Sequence, residues 1–329
     1  MKSSILFIIN PVSGIGKQKK VEEIINSEID HNKWTVEVVY TQHKGHGLEL
    51  SSAAANKYEI VVAVGGDGTV NEIGRGLIGS KTALGIIPTG SGNGLARYLE
   101  IPFKINRALQ VINQAELRAI DVIKINDYHS LNVAGIGFDA FVSHKFATKK
   151  NRGPLAYMQL ITKEFIDYKS STYKVTINNE TREWDAFIIS FANSTQYGNN
   201  VHIAPEACID DGLVDICVIR DFPKYTAPAL LISMLDQSIG LNKYDMIIKS
   251  PKVVVEHKTG LLGHVDGEPV NFGKIAEVEV MHLALQVVSP SPKLRQSQNL
   301  LSPFIEMLPN LPNINPIGRG GNVNLISKT

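Results

Sequence analysis

The chain has 329 residues, 43% of them hydrophobic, which is enough for one large core or, as the better expectation, two domains. The 33 basic and 32 acidic residues leave a net charge of +1, so no global field favours nucleic acid as a partner. Two cysteines, Cys208 and Cys217, match neither a disulfide framework nor a zinc pattern, which favours a reducing cytoplasm. The N-terminal run predicts a strand rather than a signal peptide, and no apolar run reaches the roughly 18 residues that span a bilayer.

The first hundred residues alternate short β-branched runs with helical periodicity. We predict strands at 5–9, 35–41, 59–64 and 83–88, and helices around 21–25, 47–56, 70–79 and 92–99. This βαβ rhythm predicts a Rossmann-like parallel sheet that is covered on both faces and binds ligands at the carboxyl ends of its strands. The glycine-rich segments fall at those ends.

From about residue 120 the rhythm changes to strands that are mostly not followed by crossover helices. This pattern predicts an antiparallel, β-sandwich-like second domain, interrupted by helices at about 153–168 and 224–237. We therefore divide the chain into an α/β domain, a β-rich domain and a tail rich in Pro, Asn and Ser. The predicted boundaries are 1–121, 122–290 and 291–329, with part of the tail packed back as a helix near 301–307 and the rest poorly ordered.

The segment "VVAVGGDGTVNE" at 61–72 leaves a strand through three glycines. Thr69 as N-cap and Glu72 three residues later match a capping box, which predicts a helix N-terminus where phosphate can bind. Asp67 in this turn favours Mg²⁺ with a nucleotide, because a carboxylate beside phosphates needs a cation between them. The alternative is a tight turn in which the glycines serve geometry and Asp67 caps a helix.

Four separated motifs resemble the diacylglycerol-kinase-type lipid kinases, which include sphingosine and ceramide kinases. The family turns N-P-x-S/A-G, G-G-D-G-T-x-N-E, P-x-G-T/S-x-N and D-G-E correspond to 10–14, 65–72, 88–93 and 266–268. The resemblance extends over about residues 5 to 290, in family order. No P-loop and no G-x-G-x-x-G motif accompanies these turns.

The resemblance implies ATP and Mg²⁺ as cofactors, bound in the cleft of the first domain. The residues implied to contact ATP lie at strand ends, and they are Asn10, Pro11, Ser13, Gly14, Thr41, Gly65, Gly66, Asp67, Gly68, Thr69, Asn71, Glu72, Ser91 and Asn93. Independently, Ser13, Thr41, Thr69 and Ser91 offer hydroxyls at the carboxyl ends of strands. Taken alone, each of these residues also suits an ordinary cap or turn.

The late "HVDGEP" segment predicts a hairpin, and the family places its D-G-E turn over the cleft. Phosphoryl transfer to a hydroxyl needs a carboxylate that accepts the proton. The resemblance implies Glu268 as that acceptor, with Asp266 assisting or contacting magnesium, and Asp67 in the nucleotide site; the roles of Asp266 and Glu268 could be exchanged. Without the upstream motifs, an ordinary D-G turn with exposed acids would be the better interpretation.

A second acidic loop, "CIDDGLVDI" at 208–216, resembles the family's structural Mg²⁺ site. The resemblance nominates the Asp211 carboxylate with the carbonyls of Cys208 and Leu213, and oxygen ligands suit magnesium. A β-turn with solvated aspartates is the alternative.

One position departs from the family pattern. Many bacterial members carry Asp after the Asn of the third motif, whereas Gly94 follows Asn93 here, as a small residue does in sphingosine kinases. This difference favours a sphingoid-type acceptor over diacylglycerol only weakly.

The sequence thus predicts a cytoplasmic lipid kinase that visits the membrane surface to phosphorylate a lipid hydroxyl, and it leaves a homodimer open. Two alternatives are a catalytically idle lipid- or nucleotide-binding regulator on the same fold and a soluble-substrate enzyme of the NAD kinase kind.

Overall fold

The structure, a computed structural model, describes residues 2–13, 18–149 and 154–295, without the side chains of 18–20 and 154–158. Gly14 and the helix predicted near 301–307 lie outside these ranges. The described strands are β1 (Ser3–Ile9), β2 (Trp34–Tyr40), β3 (Ile60–Gly65), β4 (Ala83–Pro88), β5 (Glu116–Ile125), β6 (Tyr128–Ser130), β7 (Val133–Gly137), β8 (Ser171–Ile177), β9 (Glu180–Ala192), β10 (Gln196–Gly198), β11 (Val201–His202), β12 (Val214–Arg220), β13 (Asp245–Ser250), β14 (Lys252–Glu256), β15 (Leu262–Val265), β16 (Glu268–Asn271) and β17 (Ile275–Ser289). The described helices are α1 (Gln18–Glu28), α2 (His46–Ala54), α3 (Asp67–Leu77), α4 (Gly94–Tyr98), α5 (Ile105–Gln114), α6 (Phe138–Ala147), α7 (Pro154–Asp167) and α8 (Ala227–Leu235).

The first part of the chain forms the predicted parallel sheet. Its strands lie side by side in the order β2, β1, β3, β4, and every pairing among them is parallel. Helices α1 and α5 pack on each other, and so do α2 and α3. Strands β3 and β4 are buried along their whole length, as expected for a parallel sheet that helices cover on both faces. The predicted α/β fold class is confirmed.

The second part is antiparallel and centres on the long strand β9. Its first half pairs with β8, and its second half lies between β7 and β12. Alternate residues of these strands face two different cores: Ile216 and Val218 of β12 face the core shared with β8 and β14, whereas Cys217 and Ile219 pack towards α6, α7 and α8. This two-residue period is the pattern of a strand buried on both faces. The predicted β-sandwich-like character is confirmed.

Two long strands join the two parts into one sheet. β5 and β17 pair antiparallel over most of their length, and near its end β17 pairs in parallel with β4 through Val287 and Leu84. β5 therefore runs through the predicted boundary between residues 121 and 122, and the last residues of β17 belong to the first core. The division of the chain into domains stays a prediction.

Two helices escaped the sequence analysis. The buried residues of α5 are Ala108, Leu109, Val111 and Ile112. Their spacing is typical of a helix, so the sequence contained the signal that was missed. The buried residues of α6 are Phe138, Ala140 and Val142, which alternate as in a strand and so extend the apparent run of β7. The sequence analysis therefore made no prediction of a helix at Phe138–Ala147.

None of the helices in the described ranges combines the length and the apolar character that crossing a bilayer requires.

A buried carboxylate, Asp121, fastens β5 to two neighbouring segments. Its side chain is 0% exposed, and it accepts hydrogen bonds from the backbone N–H groups of Gly212 and Leu283, each at 2.7 Å. His282 Nδ1 lies 2.8 Å from the same carboxylate. These contacts hold the loop before β12 and the point where the register of β17 shifts, between Met281 and Leu285.

We expect Asp121→Ala to lower the free energy of unfolding by about 3 kcal/mol or more, because the variant leaves buried N–H donors without partners. The exposed Asp127, in the turn after β5, is the matched control, and Asp127→Ala should change stability by less than about 0.5 kcal/mol. Urea unfolding of the three proteins measures both values. Equal effects of the two substitutions would contradict the structural role of Asp121.

Candidate active site

The carboxyl ends of the four parallel strands lie at one edge of the sheet. The backbone N–H of Asn10, just after β1, donates to Val64 O at 3.1 Å, and that of Thr41, just after β2, donates to Ile9 O at 2.9 Å. The N–H of Thr89, just after β4, donates to Gly65 O at 2.9 Å. The first three sequence motifs therefore meet at the edge where parallel sheets bind ligands.

The first motif is held to the other two by its own polar side chains. Asn10 Nδ2 donates to Thr69 Oγ1 at 2.9 Å, while Asn10 Oδ1 accepts from the N–H of Val12 at 3.0 Å. Ser13 Oγ donates to Asn10 O at 2.9 Å and lies 3.2 Å from Thr89 Oγ1. Pro11 is exposed within this turn. The three turns form one connected surface.

The predicted capping box at Thr69 is wrong. Helix α3 begins at Asp67, with Gly66 as its N-cap, so Thr69 already lies in the first helical turn. Its hydroxyl accepts the hydrogen bond from Asn10 instead. Gly65 makes room for this arrangement, since a Cβ there would lie 2.4 Å from Thr69 Cβ. The T-x-x-E pattern was local, whereas the hydroxyl's partner lies 59 residues away.

Glu72 caps a different helix from the one that carries it. Its Oε1 accepts from the N–H of Gly45 at 2.8 Å and its Oε2 from that of Gly47 at 3.2 Å, at the start of α2. A carboxylate at a helix N-terminus satisfies donors that the helix itself cannot satisfy. Contact of Glu72 with ATP stays a prediction, because this side chain is engaged with α2.

The second and third motifs touch through their glycines. A Cβ on Gly90 would lie 2.5 Å from the Cα of Gly66, so any side chain there would push the two turns apart. Helix α3 begins at this edge with Asp67, and a helix N-terminus carries a partial positive charge. Such an arrangement suits a phosphate group.

Asp67 links the second motif to the third. Its two oxygens accept the N–H groups of Asn93 at 2.8 Å and Gly94 at 2.7 Å, at the start of α4. Burial, helped by the charge of the nearby Asp266, raises the pKa of Asp67 to about 6. The hydrogen bonds from the two N–H groups lower this pKa, but burial outweighs them. The carboxylate also accepts its own backbone N–H, and since a carboxylate has about four lone-pair sites, one site remains for a Mg²⁺ ion.

The third motif is closed by Asn93 and leaves Ser91 exposed. Asn93 adopts a left-handed conformation with φ 53°, and its side chain accepts from Gly90 N at 3.1 Å and donates to Gly90 O at 2.7 Å. Ser91 is exposed at the tip of the turn. Asn93 therefore shapes the turn, and the Ser91 hydroxyl remains open to a ligand.

Asp266, in the late hairpin, accepts four hydrogen bonds. Ser130 Oγ at 2.6 Å and Asn132 N at 3.0 Å donate to its Oδ1. Asn71 Nδ2 at 2.7 Å and Leu131 N at 3.0 Å donate to its Oδ2. Since a carboxylate has about four lone-pair sites, these donors fill them. Asn71 belongs to the second motif, so this side chain joins the hairpin directly to the glycine turn.

Glu268 lies over the second motif. Asp266 and Gly267 both have positive φ, at 48° and 86°, which is the geometry of a tight two-residue hairpin turn. The turn places Glu268 Oε1 3.4 Å from the point where a Cβ on Gly68 would stand. Its Oε2 lies 2.7 Å from Lys44 Nζ, a residue that the sequence analysis missed. The early and late acidic turns thus converge on one cleft.

Comparisons with known proteins agree with this arrangement. The family described as "Diacylglycerol kinase catalytic domain" matches residues 4–125, and the one described as "YegS C-terminal NAD kinase beta sandwich-like domain" matches residues 132–289. The chain is 30% identical over 297 residues to a protein named "Probable lipid kinase YegS-like" from Pseudomonas savastanoi pv. phaseolicola, covering 88% of this chain and 96% of the relative. The chain belongs to the YegS-like lipid kinase family.

A second YegS-like relative, from Chromohalobacter salexigens, is 31% identical over 257 residues, which is 76% of this chain and 82% of the relative. A crystal structure titled as a putative diacylglycerol kinase from Bacillus anthracis superposes with a TM-score of 0.74 at 22% identity, covering 89% of this chain and 98% of that chain. A second structure from that organism gives a TM-score of 0.69 at 21% identity, with the same coverage. These two similarities concern the fold.

The structure gives a steric reason for Gly94 in this member of the YegS-like family. A Cβ at this position would lie 2.3 Å from Asn132 Nδ2 and 2.8 Å from Tyr197 O. The side chain of Asn132 is buried and donates to Gln196 O at 3.1 Å, so it cannot retreat without losing that bond. An aspartate at 94 would have no room.

A lysine lies among the acids of the predicted structural metal loop. Asp211 Oδ1 accepts from Leu213 N at 3.0 Å, and its Oδ2 lies 3.3 Å from Lys249 Nζ. The same nitrogen lies 3.5 Å from Asp215 Oδ2 and donates to Glu206 O at 3.0 Å. The thiol of Cys208 donates to Asp210 at 3.1 Å. Mg²⁺ bound by Asp211 with the carbonyls of Cys208 and Leu213 stays a prediction, and such an ion would compete with the ammonium of Lys249.

The pKa of Asp67 leads to a prediction about pH. A folded-state pKa of about 6, above the ordinary 3.8, means that the stabilising contribution of the protonated carboxyl is fully present below pH 3.8 and is lost as pH rises through 6. The free energy of unfolding of the wild type, measured relative to that of Asp67→Asn, should therefore fall between about pH 4 and pH 6 and stay constant above pH 6. Denaturant unfolding at a series of pH values, without nucleotide or Mg²⁺, measures the difference. A difference that grows with pH would show that the two N–H donors outweigh burial.

Replacing Lys249 tests the loop. We expect Lys249→Met to lower the melting temperature, because it leaves Asp211 and Asp215 near each other without a cation. Millimolar Mg²⁺ should then raise the melting temperature of the variant more than that of the wild type, since a ligand stabilises the state that binds it. Calorimetric scans with Mg²⁺ and with EDTA give both values, and Lys252→Met on β14, the next strand along the chain, serves as the control. Equal Mg²⁺ responses would argue against competition at this loop.

Proposed function

We propose that this protein is an ATP-dependent lipid kinase that transfers the terminal phosphoryl group to a hydroxyl of diacylglycerol or a sphingoid base. The observation that carries the proposal is the 2.7 Å hydrogen bond from Asn71 to Asp266, because it fixes the D-G-E hairpin over the glycine turn. A phosphate at the N-terminus of α3 would then lie beside the Glu268 carboxylate. Membership in a lipid kinase family supports the same assignment.

In this proposal the nucleotide turn acts through backbone groups. The close approach of Gly66 and Gly90 keeps side chains away from the N-terminus of α3, where N–H groups would bind the phosphates. The hydroxyls of Ser13 and Ser91 lie at the same edge and would hold the rest of the nucleotide. Mg²⁺, which Asp67 would contact, supplies neutralisation of the phosphoryl oxygens when it is bound.

Glu268 is the better candidate for the proton acceptor. The acceptor must reach the hydroxyl of the incoming lipid, and the Glu268 side chain is 51% exposed at the cleft. Asp266 has its lone pairs occupied by four donors, so we assign it to positioning the turn rather than to accepting a proton. Asp67 caps α4 and would act in the nucleotide site. The two late acids thus have separate roles.

The lipid would be taken from a membrane surface that a cytoplasmic enzyme visits reversibly. The β-rich part of the chain contains two apolar cores, and one of them is lined by α6, α7 and α8. The β-rich part would have to admit the acyl chain of the lipid between its apolar side chains. Peripheral association requires only apolar and electrostatic contact with the interface. A comparison of candidate acceptors in a kinase assay therefore identifies the substrate.

A second candidate function is phosphorylation of a soluble acceptor, and it is tested in the same assay. The family matched at residues 132–289 is described as NAD kinase beta sandwich-like, so a soluble acceptor such as NAD has one specific observation in its favour. A regulator without catalytic activity is the third possibility. An exposed carboxylate beside the glycine turn favours chemistry over that possibility.

We expect the wild-type protein to transfer label from γ-labelled ATP to lipid in mixed micelles, and Glu268→Gln to lower kcat at least about 100-fold. ATP affinity should change by less than about threefold, because a general base contributes to the chemical step rather than to ground-state binding. Glu180→Gln, at an exposed hairpin end of the β-rich part, is the matched control. Diacylglycerol, sphingosine and NAD are compared as acceptors.

Each possible result has a distinct meaning. Near-normal turnover in Glu268→Gln would remove Glu268 from the acceptor role. Label in NAD and not in lipid would replace the proposed reaction by its soluble-substrate alternative. ATP binding without transfer to any of the three acceptors would favour the regulator.

A further inference from the structure

Lys44 connects the first part of the chain to the late hairpin across the cleft. Its Nζ lies 2.7 Å from Glu268 Oε2, although the two residues are 224 positions apart in the chain. The backbone next to it is fixed, because the N–H of Gly45 donates to Glu72 at 2.8 Å. Glu72 belongs to α3, the helix that begins with the glycine turn. The backbone that carries Lys44 is therefore anchored to the helix that begins with the glycine turn.

The two glycine-rich nucleotide motifs contain no cationic side chain, so positive charge in addition to that of Mg²⁺ must come from another part of the chain. Neither 65–72 nor 88–93 includes a lysine or an arginine, while both Asp67 and Glu72 are acidic. A helix N-terminus supplies only about half a positive charge, which is less than a triphosphate carries in negative charge. Arg97 contacts the third motif, but its Nε donates to Gly92 O at 2.9 Å and its guanidinium stacks on Phe103 at 4.5 Å.

The Lys44–Glu268 pair is suited to exchange. The two side chains are 78% and 51% exposed, and ion pairs this exposed contribute about 0 to 1 kcal/mol. A phosphate group carries more charge than a carboxylate and would lie in a less exposed cleft, so it attracts the ammonium more strongly. Breaking the pair also frees Glu268 Oε2, the atom that would accept the hydroxyl proton.

We propose that Lys44 binds the terminal phosphate of the nucleotide, exchanging Glu268 for that phosphate when ATP occupies the cleft. Before binding, the pair holds Glu268 over Gly68. After the exchange, Lys44 balances charge on the phosphate, and Glu268 is released to accept the proton of the lipid hydroxyl. This inference rests on the proposed kinase function and adds a residue outside the four family motifs.

Binding measurements on a double-mutant cycle test the exchange. Calorimetry with Mg²⁺ and a non-hydrolysable ATP analogue, and separately with ADP, is carried out on the full chain as wild type, Lys44→Met, Glu268→Gln and the double variant. Losing a charge-assisted contact to phosphate costs roughly tenfold or more in affinity. We expect Lys44→Met to cause this loss of affinity for the ATP analogue both in the wild-type protein and in the Glu268→Gln variant. The affinity for ADP should change by less than about threefold. Lys44→Arg should restore most of the affinity.

Lys57→Met is the matched control, because this exposed lysine lies between α2 and β3, at the opposite end of the strands. Its nucleotide affinities should equal those of the wild type. If the effect of Lys44→Met disappears in the Glu268→Gln background, Lys44 acts only through Glu268 and the inference is overturned. Equal losses for ADP and the ATP analogue would overturn the assignment to the terminal phosphate. A wild type that binds neither nucleotide would overturn the proposed function itself, and the inference with it.

Discussion

The geometry of the cleft depends on the carboxylate of Asp266. Four donors from two segments converge on it: three from the consecutive residues 130–132, and one, Asn71, from the glycine turn of the parallel sheet. A partly buried acceptor that satisfies four donors costs several kcal/mol to disrupt, because each donor would lose its partner. The hairpin is thereby fixed relative to α3. Glu268, two residues further on, inherits its position over Gly68 from this contact.

The acids of the motifs divide into those that hold the backbone and one that does not. Asp67 caps α4 and Glu72 caps α2, while Asp266 anchors a loop. These carboxylates satisfy N–H groups that tight turns and helix starts leave unpaired, which is how segments so rich in glycine keep one conformation. Glu268 is the exception, since it pairs with the exposed ammonium of Lys44. An acid that the fold does not use is available for chemistry.

Shared strands, rather than a linker, connect the two parts of the molecule. β5 and β17 begin in one core and end in the other, and they pair with each other along the way. Asp121 secures both strands where the register of β17 shifts. This connection ties the two parts together through backbone hydrogen bonds along both strands. A preorganised cleft needs little rearrangement to align reacting groups.

The sequence by itself determined the parallel strands, the order of the motifs and the family, because buried strands and glycine turns leave local patterns. It did not determine which side chains meet. Thr69 and Glu72 matched a capping box within one helix, yet each bonds a residue brought near by the fold. Helix α6 was hidden because its buried residues alternate like those of a strand. Lys44 and Glu268 are 224 residues apart in the chain, and they meet because the Asn71–Asp266 hydrogen bond sets the late hairpin over α3, which no local pattern records.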